Sequence, residues 1–218
     1  MSNRKRRVIV IAGNGSMPSG AANFIDAADC VIRFNDCRSI GAGGRRTDVV
    51  AVCNTGRPAL SMLGRAGWSR NPGVVAAREI WCVRQPDMFE AKRPAIAENY
   101  PELEDFCDDY TAGFRAFATA TGRKLRVVSD AVHAETDRHL STLAETPFVS
   151  PSSGLIVIAD TVAHAAKTDD DVVIAGFDHV GWPGHPFAAE RRFTDHLIAA
   201  GKLRRLDAAP RFNKHRKA

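Results

Sequence analysis

Three short segments of this chain hold residues that packing does not require, and each suits an anion or a proton. The first is Gly13-Asn14-Gly15-Ser16, a glycine-rich turn behind a short apolar run. Glycines there let main chain approach a phosphate or ribose, and the next helix would offer its N-terminus. The second is Pro151-Ser152-Ser153-Gly154, at the head of an apolar periodic stretch. Small hydroxyl residues cap helix starts. Two serines and a glycine in a row would also leave N–H groups and hydroxyls for a phosphate at the positive end of the helix dipole. The third runs from Gly176 to Glu190 and gathers His179, Trp182 and His185 among three glycines and two prolines. Histidine is the side chain best suited to accept a proton near neutral pH. Pro186 suits the first position of a helix, which would leave His185 at its mouth.

These segments need a scaffold, and the hydropathy pattern supplies one. Arg7–Ala12 is a β-branched run that stops at Gly13, as a buried parallel strand would. Cys30–Phe34, Thr47–Cys53, Glu79–Val83, Lys124–Val128 and Asp171–Ala175 read as further strands. Helical patterns are expected at the end of Ser16–Ala28, within Pro101–Thr121, and over Pro186–Ala200. The clearest is Ser153–Lys167, where Leu155, Ile158, Ala159 and Val162 form one stripe. Residues 84–110 carry no clear pattern. Alternating strands and helices predict an α/β fold: a single Rossmann-like domain over 1–218 with a mainly parallel sheet, binding ligands beyond the strands' carboxyl ends.

Composition narrows the function. The 218 residues are 44% hydrophobic and 25% charged, as in ordinary soluble globular proteins. No apolar run approaches the roughly 18 residues that cross a bilayer, so no transmembrane segment is expected. The net charge of +5 comes from short basic tails at 1–7 and 211–218; without their eight cations the body holds 22 basic against 25 acidic residues. Nucleic acid is therefore not the expected partner. Five cysteines without CxxC spacing suggest a reduced, cytoplasmic protein rather than a disulfide or zinc framework.

Two cofactor classes find little support. Gly13 and Gly15 match the start of a GxGxxG dinucleotide fingerprint, but Pro18 stands at the third position and Asp36 lies beyond the second strand's tip. Asp169-Asp170-Asp171 resembles an acidic metal cluster, yet it precedes a strand, at the wrong end of the sheet, and reads as a solvated turn. No HxxxH or HExxH spacing occurs, so no metal is expected.

Together the three segments resemble the sialylmotifs of sialyltransferases, glycosyltransferase family 29. The large motif is matched by Gly13-Asn14-Gly15, by Ile25-Asp26 through Asp29, Val31, Arg33 and Asn35, and by Gly44 to Thr47-Asp48. The small motif is similar to Pro151-Ser152-Ser153-Gly154-Leu155 through Gly176-Phe177, and the very-small motif, His-x4-Glu, to His185 and Glu190. A third family motif has only His179 and Trp182 as counterparts, and the cysteines that bridge the large and small motifs in animal members are absent. The chain also resembles short bacterial proteins labelled urease-operon accessory proteins, which share this core.

The resemblance implies a GT-A variant that moves a sugar, sialic acid or a related keto-sugar, from a CMP-sugar to a hydroxyl acceptor, with inversion and without metal or other cofactor. Its partners would be the nucleotide-sugar donor and a glycan or small-molecule acceptor. Gly13, Asn14, Gly15 and Asn35 would meet the nucleotide, and Ser152, Ser153 and Gly154 would cradle it. His185 would be the general base, with His179 the other candidate, and Glu190 would support the motif. A nucleotide-binding accessory protein without transferase activity is the alternative.

Overall fold

The structure, a computed structural model, describes residues 6–206. The tail at 211–218 and most of the tail at 1–7 lie outside the described residues. In chain order the strands are β1 (Val8–Ala12), β2 (Cys30–Phe34), β3 (Val49–Val52), β4 (Glu79–Cys82), β5 (Lys124–Val127), β6 (Asp171–Ala175) and β7 (Arg204–Arg205). The helices are α1 (Ala21–Asp26), α2 (Gly56–Gly64), α3 (Ala66–Ser69), α4 (Pro72–Ala76), α5 (Pro86–Glu90), α6 (Arg93–Asn99), α7 (Thr111–Ala120), α8 (Asp130–Leu143), α9 (Ser153–Thr168) and α10 (Phe187–Ala199). All seven strands join one sheet in the order β5-β4-β3-β2-β1-β6-β7, and every pair is parallel.

The period-2 alternation of the strands sorts the core into two faces. Ile11, Ile32, Phe34, Val49, Ala51, Val172 and Ile174 point to one side and pack on Ile156, Ile158 and Val162 of α9. On the other side, Val10, Ala12, Val31, Val173 and Ala175 meet Ala21 and Ile25 of α1. Val50, Val52, Ile80 and Cys82 meet Trp68, Val74 and Phe114 from α3, α4 and α7. The result is a three-layer α/β/α domain whose central strands are buried on both faces, which explains their near-continuous apolar runs.

Three expectations change. The stripe on α9 is wider than a surface helix needs, because Leu155, Ile156, Val157 and Ile158 are all buried. This helix packs on the sheet and also beneath α8. Pro101–Thr121 is a 3₁₀ turn at Pro101–Leu103, a loop, and then α7. Asp109 breaks the helix: its carboxylate accepts from the Thr111 N–H (2.9 Å), while Thr55 and Asp109 form an isolated bridge. The edge strand β7 was not anticipated.

The large-motif residues are mostly scaffold. Asp29 accepts from the Val8 N–H (2.8 Å) and Asp48 from the Val31 N–H (2.9 Å), which pins β1 to β2 and β2 to β3. Asp26 accepts from the N–H groups of Arg45 and Arg46. Arg33 is fully buried and donates to the Gly43 and Arg46 carbonyls and to the Ser39 and Thr47 hydroxyls. Burial pulls its pKa below the ordinary arginine value. The segment after β2 is thus tied to the sheet through one side chain.

Candidate active site

Strand order reverses around β1, which has β2 on one side and β6 on the other. In parallel α/β sheets ligands bind where the loops diverge at such a point. A cleft of about 450 Å³ lies there, lined by the Gly13 and Gly176 loops, Asn35 and the start of α9. It holds all the residues expected from the sequence: Gly13, Asn14, Gly15, Asn35, Ser152, Ser153, Gly154, His179, His185 and Glu190. A smaller cavity of about 340 Å³ adjoins it, and both share Cys53, Pro58, Arg84 and His185.

The glycines of the first segment answer to packing as well as to any ligand. A Cβ on Gly13 would stand 2.2 Å from the Gly176 carbonyl oxygen, and one on Gly15 would stand 2.6 Å from the Asp178 carboxylate. Their N–H groups donate to Ala175 O (2.8 Å) and Gly176 O (2.9 Å), so the loops after β1 and β6 are laced together. Asn14 also bridges loops: its Oδ1 accepts from the Arg38 N–H (3.0 Å) and its Nδ2 reaches Phe34 O (3.4 Å). Asn35 has φ of 48° and accepts from the Cys53 N–H through Oδ1 (2.9 Å). Its Nδ2 has no acceptor among the described residues and borders the cleft.

The start of α9 divides its labour. The Ser152 hydroxyl accepts from the Leu155 N–H (3.2 Å) and donates to Glu190 (2.6 Å), so it caps the helix. Glu190 also accepts from the Ser152 N–H (2.6 Å) and is only 2% exposed. Burial pushes its carboxyl above the usual range, and the two bonds from Ser152 pull it back. Glu190 therefore positions the helix start. The N–H groups of Ser153 and Gly154 and the Ser153 hydroxyl have no acceptor among the described residues, and they border the cleft at the helix's positive end.

The two histidines differ in what their ring nitrogens face. His185 Nδ1 lies 2.7 Å from the Ser150 carbonyl oxygen, which can only accept, so Nδ1 carries the proton and Nε2 keeps its lone pair. His179 Nε2 faces an Arg205 guanidinium nitrogen at 3.5 Å, which can only donate, so its lone pair is directed at protein. Burial pulls His185 down to about 4, and the Arg84 charge adds to the shift. His179 also falls to about 4, through burial and then Arg205 and Arg191. Outside the site, His133 Nε2 donates to Val83 O (2.8 Å), and burial lowers its pKa to about 4.

These shifts set a stability window. The unfolded chain protonates His133, His179 and His185 near the ordinary 6.5, the folded chain only near 4. Between those values the unfolded state binds more protons, so stability is full above pH 6.5 and falls as pH drops toward 4. His133, 3% exposed, should account for about 3 kcal/mol of that loss. Thermal denaturation should give a flat midpoint above pH 7 and a steep decline below 6.5; an unchanged midpoint at pH 5 would contradict it.

Sequence reasoning missed Arg84. It follows β4, is 2% exposed, and is held by Asn54, whose amide accepts from the Arg84 N–H (2.7 Å) and donates to its carbonyl (2.9 Å). Nη1 donates to Ser150 Oγ (3.1 Å) and Pro151 O (2.9 Å), on the same residue that orients His185. A lone arginine ending a buried strand at the ligand end of the sheet was the available signal. Asp169–Asp171 lies at the opposite end, and Asp170 is buried rather than solvated, accepting from Thr168 Oγ1 (2.8 Å) and the Arg7 N–H (3.3 Å). Among the described residues no group of three or more His, Cys, Asp or Glu is placed to hold a metal, and no helix is long and apolar enough to cross a membrane.

The seven-stranded parallel α/β fold is like that of solved sialyltransferases. The sialyltransferase CstII from Campylobacter jejuni, solved with the substrate analogue CMP-3FNeuAc, superposes with a TM-score of 0.54 at 12% identity, covering 97% of this chain and 89% of that one. An α-2,3-sialyltransferase from the same organism, in apo form, gives 0.54 at 13% identity over 99% and 80% of the two chains. No family model matches the sequence. The chain belongs to the family of the urease operon 23 kDa accessory protein of Rhizobium meliloti (strain 1021), with which it is 60% identical over 200 residues, 92% of this chain and 93% of that one.

Proposed function

We propose that this protein is a metal-independent inverting glycosyltransferase that moves a keto-sugar from a CMP-sugar to a hydroxyl acceptor. The observation that carries the reading is His185: an oriented imidazole with a free Nε2, where a cleft ending in a helix N-terminus meets a second cavity. The nucleotide lies in the cleft with its phosphate toward the Ser153 and Gly154 N–H groups. The acceptor hydroxyl attacks the anomeric carbon from the far side, and His185 Nε2 takes its proton. The anomeric carbon–phosphate oxygen bond breaks, and its electron pair leaves on CMP, where the helix N–H groups carry the charge without a cation. The sialyltransferase fold and the ordered motifs support this reading.

Calorimetric titration with CMP, against AMP, UMP and NADP and with EDTA throughout, tests the pocket. CMP-selective binding is expected; preference for NADP would overturn it. Acceptor-dependent release of CMP from CMP-N-acetylneuraminate then tests transfer. A second reading, a nucleotide-binding accessory protein without transferase activity, is favoured by the name of the 60% identical relative. CMP binding without release across a panel of acceptors would select it.

A further inference from the structure

The smaller cavity beyond His185 has features that a nucleotide site does not need. Trp182 forms one wall, stacked on Phe106 at 5.6 Å and 28° and set edge-on to His185 at 4.8 Å. At the rim Arg57 pairs with Asp105 (2.8 Å), with the arginine side chain 68% exposed. Arg84 closes the base. It is a buried cation with no carboxylate in ion-pair contact among the described residues; its acceptors are the neutral Ser150 Oγ and Pro151 O. Its Nε is buried without an acceptor among the described residues. The nearby Glu190 carboxylate is already taken by Ser152. The Phe89 ring centroid lies 4.9 Å from Arg84 Cζ, but a guanidinium out of water without a counter-anion is unfavourable, and a carboxylate is the partner that its planar fork fits.

We propose that this cavity seats the acceptor and that the acceptor is a sugar acid, its carboxylate on Arg84, its ring against Trp182 and its hydroxyls at the Arg57–Asp105 pair. The assignment rests on the transferase reading of the cleft. A ring so held presents a hydroxyl to His185, which borders the same cavity. Arg84 also borders the cleft, so a keto-sugar donor offers a second source of carboxylate.

The test is calorimetry on the full chain with D-glucuronate and with D-glucose, each with and without CMP. Glucuronate should bind and glucose should bind far more weakly. Arg84→Gln should weaken glucuronate by about tenfold to a hundredfold, the span of a charged hydrogen bond, and abolish the preference over glucose. Trp182→Ala, on a surface loop, should weaken glucuronate as well and keeps the test open if Arg84→Gln does not fold. Glucuronate silent on a protein that binds CMP, or unaffected by both substitutions, overturns the proposal and leaves the donor reading standing. If Arg84→Gln instead weakens only CMP-3FNeuAc relative to CMP, Arg84 serves the donor's carboxylate and the acceptor assignment fails. Glucuronate binding that depends on Arg84 in a protein indifferent to CMP supports the anion site and removes the transferase reading.

Discussion

His185→Ala should lower turnover by about 10²- to 10⁴-fold, the contribution of a positioned general base, while CMP affinity stays nearly unchanged. The separation follows from geometry. The imidazole hydrogen-bonds to the Ser150 carbonyl and leaves the N–H groups of Ser153 and Gly154 alone, so the proposed nucleotide contacts should survive. His179→Ala should do far less to the chemical step, since its lone pair faces Arg205. The pH profile gives an independent check. Protonated His185 accepts no proton, and its pKa is near 4, so turnover should hold through pH 6 and fall only toward pH 4. Steady-state rates and CMP titrations on both variants settle the point; wild-type turnover in His185→Ala would remove it as the base.

Gly13→Ala should destabilise the protein by about 3 kcal/mol or more, among the larger effects of a single added methyl. The new carbon would stand 2.2 Å from the Gly176 carbonyl oxygen, which is backbone and has nowhere to turn. The ends of β1 and β6 would have to separate, straining the bonds from Gly13 N to Ala175 O and from Gly15 N to Gly176 O. Those loops form the cleft, so nucleotide binding should fall with stability. Gly64→Ala is the control. It ends α2, meets nothing within 4 Å, and should leave stability unchanged or raise it by about 0.5–1 kcal/mol. Equal denaturation midpoints for the two variants would contradict this account.

The same junction shows what could be read from the sequence. Six of the seven strands among the described residues were legible, the central ones most clearly, because a strand buried on both faces writes itself as an unbroken apolar run, as Val8–Ala12 and Val49–Val52 do. The strand β7 is two arginines and leaves no such mark. The helix α8 went unread because two of its three buried positions are His133 and Thr136, so its inner face does not look apolar. For the site, residue types at strand ends pointed to one cleft, and the structure brings all of the expected residues to it. Their division of labour was hidden. Whether a serine meets a ligand or a glutamate depends on contacts 38 residues apart, such as Ser152 with Glu190. Arg84 was hidden for a related reason: its partners, Asn54 and Ser150, are 30 and 66 residues distant.

The two rims of the sheet have a further consequence. An open parallel sheet exposes unpaired main-chain groups along its outermost strands, where another polypeptide could dock by hydrogen bonding alone. Here one rim is β5, with the cations Lys124 and Arg126, and the other is the two-arginine β7, where Arg204 pairs with Asp171 of β6. Two of these cations are already paired, Arg126 with Asp160 and Arg204 with Asp171, but so short a strand as β7 offers a second copy almost no ladder. Pairing of a second copy along the β7 rim is therefore disfavoured.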